Sequence, residues 1–339
     1  MDSKIGVCVI GAGRAGLLHA NNYRRNVPNA KLVAVVDPNE ENVKHAVKEL
    51  EIDKYYLNYQ DALHDDEIDA VVIVTPTNYH KEIAVAAANA GKHIFCEKPM
   101  AINEDECDYM IEAAQKNNVK LQIGFMRRFD QSFNLAKEAI ENGEIGDIVL
   151  VKSLTRGPSV PQEWMYDVER SNGPLAEVNS HDIDTLRWLT GGEFKSVYAI
   201  ANNYRCQDIS EKYPDFYDNV VLVSEFDNGK QGVIDGSVSV KYGYDARVEI
   251  LGTEGVIFVG ETYDKQISVC NVETGSKRPL TKTWRSLFKE AYLEEDIDFV
   301  NCIIEDSEPS VNGHDGKMAV KVVNAGNKSI KTGDKVILD

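Results

Sequence analysis

The chain has 339 residues, 43% of them hydrophobic, which is enough to bury a full core and to form two domains. Its 37 basic and 55 acidic residues give a formal charge of -18, which opposes binding to nucleic acid or an anionic membrane and suits a small neutral substrate. No run approaches the ~20 apolar residues of a membrane span; the N-terminus enters an apolar run at once, with no room for a leader, so a cytoplasmic location is expected.

Lys4 to Ile10 reads as a strand, followed directly by Gly11-Ala12-Gly13-Arg14-Ala15-Gly16, a complete G-x-G-x-x-G, and by a helical stretch to Arg25. Gly11 permits the tight turn, Gly13 lets backbone approach a pyrophosphate, and Gly16 lets the helix pack on the strand. The pyrophosphate would then meet free N–H groups at a helix start. A second strand, Lys31 to Val36, ends at Asp37, 21 positions after Gly16, where a ribose-binding acid is expected. Asp37 can accept both ribose hydroxyls and would repel a 2′-phosphate. Pro38 and Asn39 follow where an NADP site would often offer an arginine, so NAD is the expected cofactor. Asp37 also suits a plain turn with Pro38-Asn39.

Further strands are legible from Ala70 to Val74, His93 to Cys96 and Lys120 to Ile123, with helices opening near Asn78 and Asn103. Such apolar runs alternating with helices predict a doubly wound parallel sheet over residues 1–125. Ligands of such sheets bind beyond the carboxyl ends of strands, where Gly11, Thr75-Pro76 and Lys98 all lie. Lys98 sits in Glu97-Lys98-Pro99, where Pro99 disfavours helical geometry at the lysine and aims its side chain. Partial desolvation beside a nicotinamide would lower its pKa enough for proton chemistry. A surface lysine capping a turn and paired with Glu97 accounts for the same residues equally well.

Residues 126–339 change style. Phe133 to Ile145 reads as a connecting helix. Strands follow from Asn219 to Phe226, Gln231 to Val240, Arg247 to Leu251, Val256 to Val259 and Gln266 to Val269. Val220, Leu222 and Phe226 share one face of their strand, and Asp227-Asn228-Gly229 and Thr253-Glu254-Gly255 predict antiparallel hairpins. A helix from about Trp284 to Glu305 presents Leu293, Ile297, Val300 and Ile304 on one face and acids on the other. The prediction is an α+β domain with an open, mostly antiparallel sheet, whose exposed face suits a homo-oligomer. The stretch from Arg156 to Pro174 is long for a simple connection and is expected to fold over substrate.

Within Gly173 to Leu189, Ile183, Leu186 and Leu189 mark a helix starting near Ser180 and stopped by Gly191-Gly192, which puts His181 in the first turn. Histidine titrates where proton abstraction from a hydroxyl needs it. Glu177 or Asp184 could fix its tautomer, though only Asp184 shares its helical face, and Asp184 has a plainer partner in Arg187. Arg127, Arg156, Trp164, Asn179 and Tyr244 could line a substrate pocket with donors and a flat aromatic wall, or simply pack. Cys8, Cys96, Cys107, Cys206, Cys270 and Cys302 are scattered without a C-x-x-C pair, so neither a metal site nor a disulfide framework is expected.

The order G-x-G-R-x-G-x-x-H, T-P-T-N-x-x-H, E-K-P, G-F-M-R-R-F-D and E-x-x-x-H-D-I-D resembles the Gfo/Idh/MocA oxidoreductases across nearly the whole chain, and within them the myo-inositol 2-dehydrogenases. The resemblance implies a Rossmann domain plus a mixed-sheet domain, usually as a tetramer, though a dimer fits the same open face. It implies catalysis by Lys98 and His181, and a cofactor-side segment containing Thr75, Pro76, Asn78, His80 and Glu97. The family's D-x-x-x-H aspartate maps to Glu177, one methylene longer, which bears on substrate identity more than on reaction type. The reaction so implied is NAD-dependent oxidation of a secondary ring hydroxyl of a cyclitol or sugar. Glycoside cleavage through transient oxidation and a non-catalytic NAD sensor stay open as alternatives.

Overall fold

The computed structural model describes residues 4–264, 267–273 and 275–338. It contains two compact units, Met1–Phe129 with Glu290–Val320, and Asp130–Lys289 with Lys321–Asp339.

The first unit carries β1 (Ile5–Ile10), α1 (Arg14–Arg25), β2 (Ala30–Val36), α2 (Glu40–Leu50), β3 (Tyr55–Tyr56), α3 (Tyr59–Leu63), β4 (Ala70–Ile73), α4 (His80–Asn89), β5 (His93–Glu97), α5 (Glu104–Lys116) and β6 (Leu121–Gly124). Its sheet has the order β3-β2-β1-β4-β5-β6 with every pairing parallel, the doubly wound arrangement expected. β1, β2, β4 and β5 are buried almost throughout because helices cover both faces, which is why they read as continuous apolar runs. The Asn103 side chain caps α5 by accepting from the Glu106 N–H at 2.9 Å, so the helix starts where the sequence suggests.

The second unit carries α6 (Gln131–Glu141), β7 (Ile148–Arg156), α7 (Glu163–Tyr166), α8 (Val168–Ser171), α9 (Gly173–Glu177), α10 (Ser180–Thr190), β8 (Phe194–Asn202), β9 (Asn219–Phe226), β10 (Gln231–Ser237), β11 (Asp245–Gly252), β12 (Val256–Val259), β13 (Val269–Asn271), β14 (Gly275–Lys277) and α11 (Trp284–Leu287). Two further helices, α12 (Lys289–Ile304) and α13 (Gly313–Thr332), precede β15 (Val336–Ile337). The seven-stranded sheet runs β12-β11-β7-β10-β9-β8-β15 and is antiparallel except where β10 meets β7. Both predicted hairpins form, β9 to β10 and β11 to β12. Of the strand expected from Gln266 to Val269, Gln266 lies outside the described residues, and β13 begins only at Val269 and runs on to Asn271. The Arg156 to Pro174 stretch is no single loop: it folds into α7, α8 and the start of α9, with Tyr166 edge-on to Phe216 at 4.9 Å.

The helix expected from Trp284 to Glu305 is two helices, and its acidic face is not all solvated. Glu295 and Asp296 are fully buried, while Ile304 is exposed. α12 turns Phe299, Val300 and Cys302 into the same core as Val7, Val9 and Phe95, so this late segment completes the first unit. No helix among the described residues is long and apolar enough to cross a membrane.

Candidate active site

At the carboxyl end of β1, Gly11 has φ +108°, and a Cβ there would lie 2.5 Å from the Val74 carbonyl oxygen. A Cβ on Gly16 would sit 1.8 Å from the Gly11 carbonyl oxygen, so helix and turn meet only without side chains. A Cβ on Gly13 meets nothing within 4 Å, which leaves a backbone cradle open. Gly13 also caps α1 without a side-chain hydrogen bond, so the first N–H groups of the helix are not consumed by a capping residue. Asp37 stands at the end of β2, one oxygen accepting from the Ala12 N–H at 3.0 Å and the other from the Asn39 N–H at 2.9 Å and Asn42 Nδ2 at 3.1 Å. Asp37 thus braces the glycine turn and opens the next one at once. A pyrophosphate cradle with a carboxylate 3.0 Å from its backbone fits a dinucleotide.

Thr75 and Pro76 follow β4, and Asn78 lies in a short 3-10 turn before α4. His80 is buried, with Nδ1 2.8 Å from the Pro99 carbonyl oxygen and Nε2 2.8 Å from that of Thr75. Its ring therefore ties the β4 turn to the lysine turn through main chain. Burial pushes its pKa down, against the pull of these two carbonyls. Glu97 ends β5 and folds its carboxylate inward, one oxygen accepting from the Lys98 N–H at 2.9 Å and the other lying 3.3 Å from His19 Nε2. Lys98 is half-buried and joined to Pro99 by a cis peptide. His19 meets Asp296 through Nδ1 at 2.8 Å, and both histidine and aspartate are fully buried.

In the second unit α10 starts at Ser180 and ends at Gly191 in the left-handed region, as the sequence implies, with His181 buried in the first turn. Glu177 ends the separate short helix α9 and is half-buried. The turn between them is anchored from below. Asp182 accepts from the Ser153 hydroxyl of β7 at 2.5 Å and from Asn179 Nδ2 at 2.8 Å. A Cβ on Gly236 of β10 would come within 2.0 Å of Asn179 Oδ1, so the neighbouring strand is bare where Asn179 sits. Asn179 is thus structural at its amide nitrogen. Asp184 is buried, and Arg187 grips Glu193 with Nε 2.8 Å from each carboxylate oxygen.

The remaining expected pocket residues are spread out. Arg127 is among the largest fully buried side chains of the first unit. Tyr244 is buried edge-on to Phe288, and Trp164 donates to Gln162 at 2.9 Å. Arg156 lies on the sheet face opposite Ser153 and Thr155, where Asp235 takes its guanidinium through two bonds, Nε to Oδ1 at 3.1 Å and Nη2 to Oδ2. That engagement and the face it lies on separate Arg156 from the α10 side of the sheet. Sequence reasoning gave no role to Asp182, Asn22, Glu295 or Asp296. His19 had a signal in its place three residues after Gly16, and Asp182 in the E-x-x-x-H-D-I-D order.

Residues 5–125 match the family model described as an oxidoreductase family, NAD-binding Rossmann fold, and residues 137–338 match its C-terminal alpha/beta domain. A curated relative, the scyllo-inositol 2-dehydrogenase (NAD(+)) of Bacillus subtilis, is 35% identical over 342 residues, covering 100% of this chain and 98% of the relative. The myo-inositol 2-dehydrogenase of Thermotoga maritima is 34% identical over 331 residues, covering 98% of each chain. Among solved structures, the scyllo-inositol dehydrogenase of Lactobacillus casei with bound cofactor NAD(H) and scyllo-inositol superposes with a TM-score of 0.89 at 28% identity, covering 98% of this chain and 99% of that one. The myo-inositol 2-dehydrogenase of Lactobacillus plantarum reaches a TM-score of 0.94 at 30% identity, covering 99% and 100%.

Proposed function

We infer that this chain, which belongs to the Gfo/Idh/MocA oxidoreductase family, is an NAD-dependent dehydrogenase that oxidises a secondary ring hydroxyl of a cyclitol to the ketone. The observation that carries the reading is an open glycine cradle and an acid hydrogen-bonded to it, both at the carboxyl ends of the strands of one parallel sheet, with the Lys98 turn at the carboxyl end of β5 in the same sheet. Inositol as the substrate class is supported by the relatives, which act on it by name. Gly11 to Gly16 would hold the pyrophosphate of NAD, Asp37 the adenosine ribose, and the segment Thr75 to His80 with Glu97 the nicotinamide side. Bound NAD supplies the two-electron acceptor that takes the hydride.

The chain's own residues do the rest. His181 takes the proton of the ring hydroxyl as that carbon loses hydride, so alcohol and NAD give ketone, NADH and one proton. Lys98 presents a cation that steadies the developing alkoxide. Glu177 orients the histidine or grips a neighbouring hydroxyl. A cytoplasmic location is part of the same reading, supported by six free cysteines. So is self-association through the open face of the seven-stranded sheet.

The test is an NAD reduction screen over inositol isomers and simple sugars, repeated with Lys98→Ala and His181→Ala. Each variant is expected to lose roughly 10²- to 10⁴-fold in kcat and to keep measurable NAD binding by fluorescence titration. No NADH from any cyclitol would defeat the substrate class, and wild-type turnover in either variant would strip that residue of its role.

A further inference from the structure

Behind the lysine turn, the first unit buries a polar cluster that hydride transfer does not itself use. His19 of α1 is wholly buried between rings, its centroid 5.2 Å from that of Phe95 and 5.5 Å from that of Tyr292. Nδ1 lies 2.8 Å from Asp296 Oδ1 and Nε2 lies 3.3 Å from Glu97 Oε1. The other oxygen of Asp296 accepts from Asn22 Nδ2 at 2.8 Å, and the other oxygen of Glu97 accepts from the Lys98 N–H at 2.9 Å. The bonds run without a break from Asn22 through Asp296, His19 and Glu97 to the main chain of Lys98.

Carboxylates facing both nitrogens require hydrogen on each, so His19 is the cation of this set. Charge-assisted bonds of this kind are about twice as strong as neutral ones. The space for the Glu97 carboxylate is cut by a glycine: a Cβ on Gly124 would lie 3.2 Å from its carboxyl carbon. Glu97 lies against the bare Gly124 backbone with His19 at one of its oxygens and the Lys98 N–H at the other.

We propose that His19 is a positioning residue for Lys98: anchored by Asp296, it fixes the Glu97 carboxylate, which clamps the lysine's main chain and sets where the ammonium group is presented. His80, bonded to the Pro99 carbonyl, closes the other side of the same turn. The proposal rests on Lys98 acting in catalysis as inferred above. His19, Glu97 and Glu295 also bring one ligand atom each within 4.8 Å of the others, the donor set of a metal site. Both His19 nitrogens lie at hydrogen-bond distance from carboxylates, while among the described residues neither carboxyl oxygen of Glu295 meets a hydrogen-bond partner, so the experiment below also assays the protein for an ion.

The experiment compares wild type, His19→Gln and Asp296→Asn in NAD reduction with inositol, NAD titration, and reductive methylation of Lys98 followed by peptide mass spectrometry. Both variants are expected to lose roughly 10- to 100-fold in kcat, the scale of an ångström misplacement. The KM for inositol and the NAD affinity stay near wild type, and the methylation rate at Lys98 changes. Asp296→Asn removes one charge with little change of shape and answers the question if His19→Gln does not fold. Turnover within twofold of wild type, or NAD affinity falling in step with kcat, overturns the proposal. So does a stoichiometric metal that wild type carries and His19→Gln loses. Lys98→Ala separates the parent reading: if that variant keeps full turnover, Lys98 is not catalytic, whatever His19→Gln does.

Discussion

Asp37 spends one oxygen on the Ala12 N–H and the other on Asn39 and Asn42, so its charge is fixed in place rather than swinging in solvent. A ribose diol seated there would gain two acceptors, whereas a 2′-phosphate would meet a like charge. Asp37→Ala is expected to raise the KM for NAD by roughly tenfold, the scale of a lost hydrogen bond to a charged group, and to raise the NADP to NAD ratio of kcat/KM. Steady-state rates with both cofactors check this, and an unchanged ratio removes Asp37 from the site. Glu177 poses the complementary question on the substrate side. It ends α9 rather than lying on α10, so it shares no helical face with His181. Glu177→Asp should reorder the kcat/KM values for inositol isomers while leaving the KM for NAD untouched. An identical ranking in the two proteins would mean that Glu177 does not meet the ring.

At the scale of elements, α1, β5 and α12 meet around His19, Glu97 and Glu295, and the meeting has a pH signature. Burial opposes a charge on His19, yet Asp296 and Glu97 hold its pKa well above the ordinary value. Burial, with Glu97 adding to it, keeps the Glu295 carboxyl protonated far above the usual carboxylate range. Both groups bind their proton more tightly folded than unfolded. Their contribution is therefore complete below the unfolded values, about 6.5 for histidine and 4.3 for glutamate, and is lost as pH rises through the folded ones. The urea midpoint should fall as pH climbs above about 6.5. Glu295→Gln, which copies the neutral acid without its proton, should flatten that slope, and an undiminished slope would show that Glu295 holds no proton in the folded chain. None of this was legible beforehand, because Glu295 and Asp296 sit in a sequence whose acids look like the solvated side of an amphipathic helix. Burial there is decided by a partner 277 residues away, His19, and no local period reports it. The glycine turn, the parallel strands, the Asn103 cap and the Ser180 to Gly191 helix were legible because each is fixed by its own neighbours. β7 and β8 escaped notice for the opposite reason. Ile148–Arg156 owes its central position to pairing with β10 and β11, which lie far along the chain.

At the scale of the whole molecule, the second unit exposes large apolar side chains along one face of its sheet. Cross-strand pairing lines up Tyr198, Val223 and Val233, then Lys152 and Glu249, then Phe258, and beside them Ile200 and Val221. Ile200 is 63% exposed and Phe258 71%, while the opposite faces of the same strands are buried. This exposed apolar row is broken by the Lys152–Glu249 ion pair at 2.8 Å, and the same face carries the Arg156–Asp235 pair, a mixture suited to a contact between copies. A second copy of this chain supplies a matching face with both an acid and a base in the row, so an isologous contact can pair charges as well as apolar groups. The net charge of -18 works against such association at low ionic strength and less so when salt screens it. The chain is therefore expected to sediment as a dimer or tetramer in 0.15 M salt. Replacing Ile200 and Phe258 together by glutamate should shift it to monomer without unfolding the sheet, since both side chains point away from the core. A monomeric wild type would end the assignment of this face. An oligomer that survives the double substitution would place the contact elsewhere on the chain.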